Sequence, residues 1–157
     1  MSIEIERKFL IDHRRWQRLT KPEGIHYLQG YVIIAEDKTI RVRIAGNQSF
    51  ITLKSKPITL ASRYEFEYEI PLTDGQLLLK LFTTHTVEKI RYRIPHYGHT
   101  WEVDEFLADN QGLIIAELEL KTEDDRFPLP AWVSKEVTGD PRFANANLAL
   151  RPFKNWP

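Results

Sequence analysis

The chain has 157 residues, 42% hydrophobic and 28% charged, which is the make-up of one soluble globular domain and too apolar for a disordered chain. Lys plus Arg and Asp plus Glu both number 22, and that zero net charge argues against coating nucleic acid or anionic membrane through bulk charge. Cys is absent, which removes disulfides, thiolate zinc sites and a cysteine nucleophile.

The N-terminus carries charges at positions 4, 6, 7 and 8 where a secretory signal would need an apolar core. No run approaches the roughly 18 apolar residues of a membrane span, so the expected location is the cytoplasm. The sequon at Asn47 reads as a hairpin turn. Period-two alternation predominates and predicts strands over Ile3–Ile11, Ile25–Ala35, Thr39–Ile44, Ser49–Ser55, Arg63–Ile70, Val87–Pro95, Thr100–Phe106 and Leu113–Lys121. Short turn-like links at 35–38, 45–48 and 96–99 suit antiparallel hairpins. Helical pieces are expected at Asp12–Leu19, Leu77–Phe82, Thr122–Arg126, Ala131–Lys135 and Asn145–Leu150, the second entered through Thr73 as N-cap with Gln76 completing a capping box. The class is α+β, a single barrel-like antiparallel domain over residues 1–157.

Sorting each strand by parity separates apolar from charged faces. Ile3, Ile5 and Phe9 oppose Glu4, Glu6 and Lys8. Ile40, Val42 and Ile44 oppose Arg41 and Arg43, while Ile51 and Leu53 oppose Thr52 and Lys54. Tyr64, Phe66 and Tyr68 oppose Glu65, Glu67 and Glu69, and Ile90, Tyr92 and Ile94 oppose Lys89, Arg91 and Arg93. Val103 opposes Glu102 and Asp104, and Leu118 and Leu120 oppose Glu117 and Glu119. A polar strand face usually meets water, but a solvated face usually mixes signs, since adjacent like charges repel. Here whole strands are acidic or basic, and the first strand is both. Clustered carboxylates call for a hard cation such as Mg²⁺ or Mn²⁺. Clustered Arg and Lys call for a polyanion, most simply phosphate. A phosphate chain held by metal on one side and by Lys and Arg on the other meets both demands. If the sheet closes, the charged face becomes its lumen and helices cover the apolar outside.

The residues Glu4, Glu6 and Lys8 of "EIERK" resemble the ExExK signature of the CYTH, or triphosphate tunnel metalloenzyme, superfamily. The resemblance continues in order through "QGY" at 29–31, "RVR" at 41–43, "TLK" at 52–54, "SRYEFEYEI" at 62–70, "VEKIRYRI" at 87–94, "WEVDEF" at 101–106, "AELEL" at 116–120 and "KEVTGDPRFANANLA" at 135–149. It is most like the short bacterial members, and it implies one CYTH domain folded as an eight-stranded antiparallel β-tunnel with peripheral helices packed outside. It puts Lys8, Arg41, Arg43, Lys54, Lys89 and Arg91 at triphosphate-binding positions, with Arg63 also matching the pattern. Glu4, Glu6, Glu65, Glu67, Glu102, Asp104, Glu117 and Glu119 fall at acidic, metal-binding positions, for two divalent ions per site, Mg²⁺ or Mn²⁺. The "KEVTGDPRF" stretch resembles the element closing one tunnel mouth, from which Lys135 would reach the phosphates.

Lys89, crowded by Arg91, Lys54 and other cations, is expected to have its pKa pushed towards neutrality, which suits a water-activating base; the resemblance points the same way. Its other reading is a phosphate ligand only. Tyr31 would orient Lys89 or the water, or simply line the barrel. The expected reaction is metal-dependent hydrolysis of inorganic tripolyphosphate to pyrophosphate and phosphate. The superfamily also holds thiamine triphosphatases and adenylate cyclases, a polyphosphate-binding module is the non-enzymatic alternative, and a purely solvated charged face is the structural one. No P-loop or GxGxxG is present. Arg93 and Glu69, at strand ends, His96 and His99, beside a turn, and the four Trp residues read as solvent-facing or packing groups. The expected partner is a small-molecule triphosphate, without nucleic acid or membrane, and a homodimer is typical of the resemblance.

Overall fold

The computed structural model describes residues 2–157. Its elements are β1 (Ile3–Ile11), α1 (His13–Arg18), β2 (Ile25–Ile34), β3 (Lys38–Ala45), β4 (Gln48–Ser55), β5 (Ser62–Ile70), α2 (Leu72–Phe82), β6 (Thr86–His96), β7 (His99–Phe106), β8 (Ile114–Glu119), β9 (Val133–Glu136) and α3 (Asn145–Leu150). The strands run in the order β5-β4-β3-β2-β6-β7-β8-β1, all antiparallel, and β1 pairs back onto β5. That last pairing closes an eight-stranded barrel, as the parity argument and the resemblance both anticipated. β1 is long enough to serve three neighbours. One edge pairs with β8 from Glu6 to Leu10; the other pairs with β5 over Ile3–Ile5 and with β9 from Phe9 to Ile11.

The tightest hairpin shows how local chemistry sets register. His96 pairs with His99 across Tyr97 and Gly98, whose φ values are +47° and +78°. Two successive residues with positive φ match the right-handed strand twist and favour glycine at the second position.

Outward-facing apolar residues of β1, β6, β7 and β8 (Phe9, Ile94, Trp101, Val103, Leu118) form one core with Trp16 of α1 and Trp132 ahead of β9. On the other side α2 packs over β2–β4. There Gly75 lies so close to β4 that an added Cβ would come 1.7 Å from Ser49 Oγ. A second core fills one end of the barrel. Val87, Phe106 and Ile115 share the inward parity of Lys89, Asp104 and Glu117, and they pack with Val137, Phe143 and Leu148 from the C-terminal segment. The lumen is therefore sealed at that end. Among the described residues no helix is long and apolar enough to cross a membrane.

Three helical expectations fail. Residues 122–126 form a turn, with Asp125 accepting from the backbone N–H groups of Lys121 and Thr122. Val133–Glu136 is a strand because the edge of β1 beyond β5 is unpaired, and tertiary pairing overrides weak local preference. α2 starts at Leu72, directly after Pro71, so Thr73 lies within its first turn and no side-chain cap forms. Here the preset φ of Pro71, −55°, turns the chain into the helix straight out of β5.

Candidate functional site

The charged strand faces enclose a cavity of about 350 Å³. β1 contributes Glu4, Glu6 and Lys8, β3 contributes Arg41 and Arg43, and β4 contributes Lys54. β5 adds Arg63, Glu65 and Glu67, and Tyr31 of β2 and Arg91 of β6 line it as well. Glu102 of β7 and Glu117 and Glu119 of β8 complete the wall. Lys89 and Asp104, both wholly buried, lie behind this lining. Lys135 is exposed on β9 and faces no part of the cavity.

The floor is a three-charge cluster. Asp104 Oδ1 accepts from Arg91 Nε at 2.7 Å, and Oδ2 accepts from Arg91 Nη2 at 2.8 Å and Lys89 Nζ at 2.7 Å. One carboxylate thus serves two cations. Burial raises the Asp104 pKa, but Arg91 and Lys89 outweigh it and hold the group below the usual carboxylate range. Arg91 goes up against its own desolvation because Asp104, Glu117 and Glu102 surround it. With Asp104 already paired bidentately to Arg91, Lys89 is the surplus cation, and burial lowers its pKa to about 7, with Arg91 and Arg43 adding to the push. Burial, rather than the crowding by Arg91, Lys54 and other cations expected from sequence, is the leading cause, with Arg91 contributing and Lys54 absent from the main causes. Tyr27 stacks beneath the basic groups, its ring 5.0 Å from the Arg43 and Arg91 guanidinium carbons and 5.8 Å from Lys89 Nζ.

Arg43 goes down to about 10 through burial and the proximity of Arg41 and Arg91. Its Nε donates to Gln29 Oε1 at 3.0 Å. Arg41 Nη2 donates to Thr52 Oγ1 at 3.2 Å, while its buried Nε has no hydrogen-bond partner. A buried unpaired guanidinium N–H is costly, and an anion in the cavity would satisfy it.

The acidic side is crowded by register. Glu6 lies opposite Glu119, and Glu117 opposite both Lys8 and Glu102. Lys54 Nζ sits 3.2 Å from Glu4 and 3.2 Å from Glu65. Burial alone would raise Glu4, yet Lys54, Glu65 and Arg63 bring it down to about 2. Glu6 is pushed up to about 8 by burial, then by Glu117 and Glu4. Glu119 and Glu65 are raised by burial and by Glu4 as well. Glu117 goes down despite burial, helped by Lys8, Arg91 and Lys89. Among the described residues no three acidic or histidine side chains converge into a ready-made metal cage. The donor set nevertheless fits Mg²⁺ or Mn²⁺, because such ions bind through one or two carboxylates plus substrate phosphates and water. Glu6, whose cation neighbour Lys8 is as far as 3.9 Å, and its cross-strand neighbour Glu119, which forms no ion pair among the described residues, are the best-placed pair.

Sequence analysis gave no role to Tyr27, Gln29, Thr52 or Asn145, although parity set Thr52 beside Lys54 on the charged face. The first three share the inward parity of their strands but carry no charge to draw the eye. Asn145 lies on α3, outside any strand, so no alternation could have marked it.

The CYTH domain family matches residues 2–151. An inorganic triphosphatase of Acetivibrio thermocellus is 44% identical over 157 residues, covering 99% of each chain. An inorganic triphosphatase of Nitrosomonas europaea is 36% identical, covering 94% of this chain and 97% of its own. A crystal structure of an inorganic triphosphatase superposes with a TM-score of 0.64 at 33% identity, over 96% of each chain. A closed antiparallel barrel with segregated lumenal charge, matched almost end to end by these relatives, places the chain in the CYTH domain family.

Proposed function

We propose that the chain hydrolyses a phosphoanhydride bond of inorganic triphosphate within the barrel, releasing pyrophosphate and phosphate. The observation that carries this is the division of one closed lumen into a basic floor and an acidic flank, with the Arg41 Nε–H unpaired beside the cavity. A cavity of about 350 Å³ suits a small polyanion, and both curated relatives are inorganic triphosphatases.

Arg41, Arg43, Arg91, Lys8 and Lys54 would bind the phosphoryl oxygens and neutralise the charge spread over them in the transition state. Glu6 and Glu119, aided by Glu4 and Glu117, would hold divalent metal, Mg²⁺ or Mn²⁺, with two ions per site. When bound, the metal supplies charge neutralisation and a more acidic water. Asp104 acts as the internal counter-ion of Arg91 and Lys89 rather than as a ligand, since both its oxygens are taken. A new P–O bond forms from water as the bridging P–O bond breaks. The proton goes to Lys89, whose pKa near neutrality leaves a useful neutral fraction. Tyr31, which accepts a long hydrogen bond of 3.4 Å from Gln29, keeps its own O–H free to orient that water. The sealed end excludes bulk water behind the floor.

The test is phosphate release from tripolyphosphate, pyrophosphate, ATP and thiamine triphosphate with Mg²⁺, Mn²⁺ or no metal. Turnover of tripolyphosphate that needs metal and is lost in Glu6→Gln supports the proposal. Cyclic AMP formation from ATP, or tight triphosphate binding with no turnover, would overturn it.

A further inference from the structure

We propose that Asn145 is a substrate-contacting residue: its amide nitrogen donates to the phosphoryl group lying deepest in the lumen, while its amide oxygen caps Lys89. This rests on the lumen being a triphosphate site.

The orientation of the Asn145 amide follows from donor-only neighbours. Arg43 Nε can only donate, and it donates to Gln29 Oε1 at 3.0 Å, so Gln29 must present its Nε2 on the other side. That Nε2 donates to Asn145 Oδ1 at 3.1 Å. Lys89 Nζ, a second donor, reaches the same Oδ1 at 3.1 Å. Flipping the amide would set its N–H groups against two donors at once, so the network holds Oδ1 inward. The two N–H groups on Nδ2 then have no hydrogen-bond partner among the described residues.

Asn145, with Ala144 and Ala146, lines the cavity, whereas Lys89 and Gln29 do not. The side chain therefore joins the buried lysine to the cavity wall. Its neighbours Ala144 and Ala146 are too small to obstruct an approach. An amide donor fixed at the floor, next to Arg43, Arg91 and Lys89, has one sensible complement: an anionic oxygen. The same arrangement links the C-terminal segment that seals the barrel to the basic floor, because Phe143 O, two residues earlier, accepts from Lys8 Nζ at 3.3 Å.

Two variants separate contact from mere support. Asn145→Ala removes both halves of the amide. Asn145→Asp keeps an oxygen for Lys89 and Gln29, and so keeps the floor assembled, but removes the donor. Calorimetric binding of tripolyphosphate is the main readout, with thermal unfolding to check the fold and phosphate release alongside. The expectation is binding about tenfold to a hundredfold weaker in Asn145→Ala, the range of one charge-assisted hydrogen bond, and at least as weak in Asn145→Asp. If Asn145→Ala does not fold, Asn145→Asp decides. Wild-type affinity in a folded Asn145→Asp or Asn145→Ala protein would overturn the assignment while leaving the triphosphatase reading intact. A wild-type protein that neither binds nor cleaves tripolyphosphate would overturn both.

Discussion

Replacing Lys89 with Met should make the folded protein more stable at pH 7 while abolishing turnover. Lys89 is wholly buried, and its pKa falls from 10.5 to about 7 mainly because burial disfavours the charged form. At this site the unfolded chain then binds more protons than the folded one between about pH 7 and 10.5, so Lys89 makes stability rise with pH across that window. Below about pH 8 this is opposed by Glu6, with its raised pKa. The shift corresponds to a ceiling of roughly 5 kcal/mol, at about 1.4 kcal/mol per pKa step. Met has the same reach, carries no charge and packs between the rings of Tyr27 and Phe106, which flank Nζ at 5.8 and 5.6 Å. Against the gain stands one lost charged hydrogen bond to Asp104, about 1.5–3 kcal/mol, although Arg91 still grips that carboxylate twice. A net stabilisation of about 2 kcal/mol, or a Tm higher by roughly 4–8 °C, is the expected outcome. Asp104→Asn should do the opposite, leaving two buried cations short of their anion at a cost of about 3–5 kcal/mol. Urea unfolding of the three proteins from pH 7 to 10 reads both effects, and the stability advantage of Lys89→Met over wild type should shrink as pH rises, the contribution of Glu6 being common to both. The reasoning would be refuted by a stability difference between wild type and Lys89→Met that does not change across that range, or by Lys89→Met being as destabilised as Asp104→Asn.

Other consequences can be checked with the same tools. Glu6→Gln should abolish metal-dependent phosphate release yet leave Tm unchanged or raised without metal, because it relieves repulsion from Glu4 and Glu117; an active Glu6→Gln enzyme would return the acidic flank to a passive role. Gly75→Ala should cost about 1–3 kcal/mol by overpacking against Ser49, and Ser49→Gly should restore most of that loss in the double variant, measured by thermal unfolding. Arg41→Ala should weaken tripolyphosphate binding at least tenfold through loss of a charged contact, with little loss of stability, since its buried Nε is unpaired in the free protein.

Much of this was legible in the chain because the barrel inverts an ordinary pattern. Inward charge and outward apolar residues leave the same period-two signal as a solvated sheet, so alternation located every strand of the barrel, to within two residues at each end. What distinguished lumen from solvent was the sorting of sign by strand, visible in Glu65 and Glu67 against Arg41 and Arg43. Periodicity could not reach β9 or the turn at 122–126, where pairing partners and side-chain capping decide the conformation. Nor could it find the functional neutrals. Gln29 and Asn145 matter through the direction of their amides, and that direction is set by neighbours far apart in sequence.

The sealed floor explains why the charges are arranged in depth. Where the C-terminal segment plugs the barrel, Val87, Phe106 and Ile115 occupy the inward positions one step beyond Lys89, Asp104 and Glu117. β7 thus passes from the apolar plug at Phe106 to the buried ion pair of Asp104 to the half-buried carboxylate of Glu102, and β8 from Ile115 through buried Glu117 to exposed Glu119. Electrostatic interactions strengthen as water is excluded, so the positive groups nearest the plug act most strongly on an anion and are the hardest to leave unpaired. Within the protein, Asp104 and Asn145 meet that demand. A bound polyanion would meet it from the other side, with carboxylates at the half-exposed level free to take the cation that arrives with it. Segregation by strand and segregation by depth are two projections of one requirement: the anion must be drawn to the dry end and its counter-ion kept at the wet one.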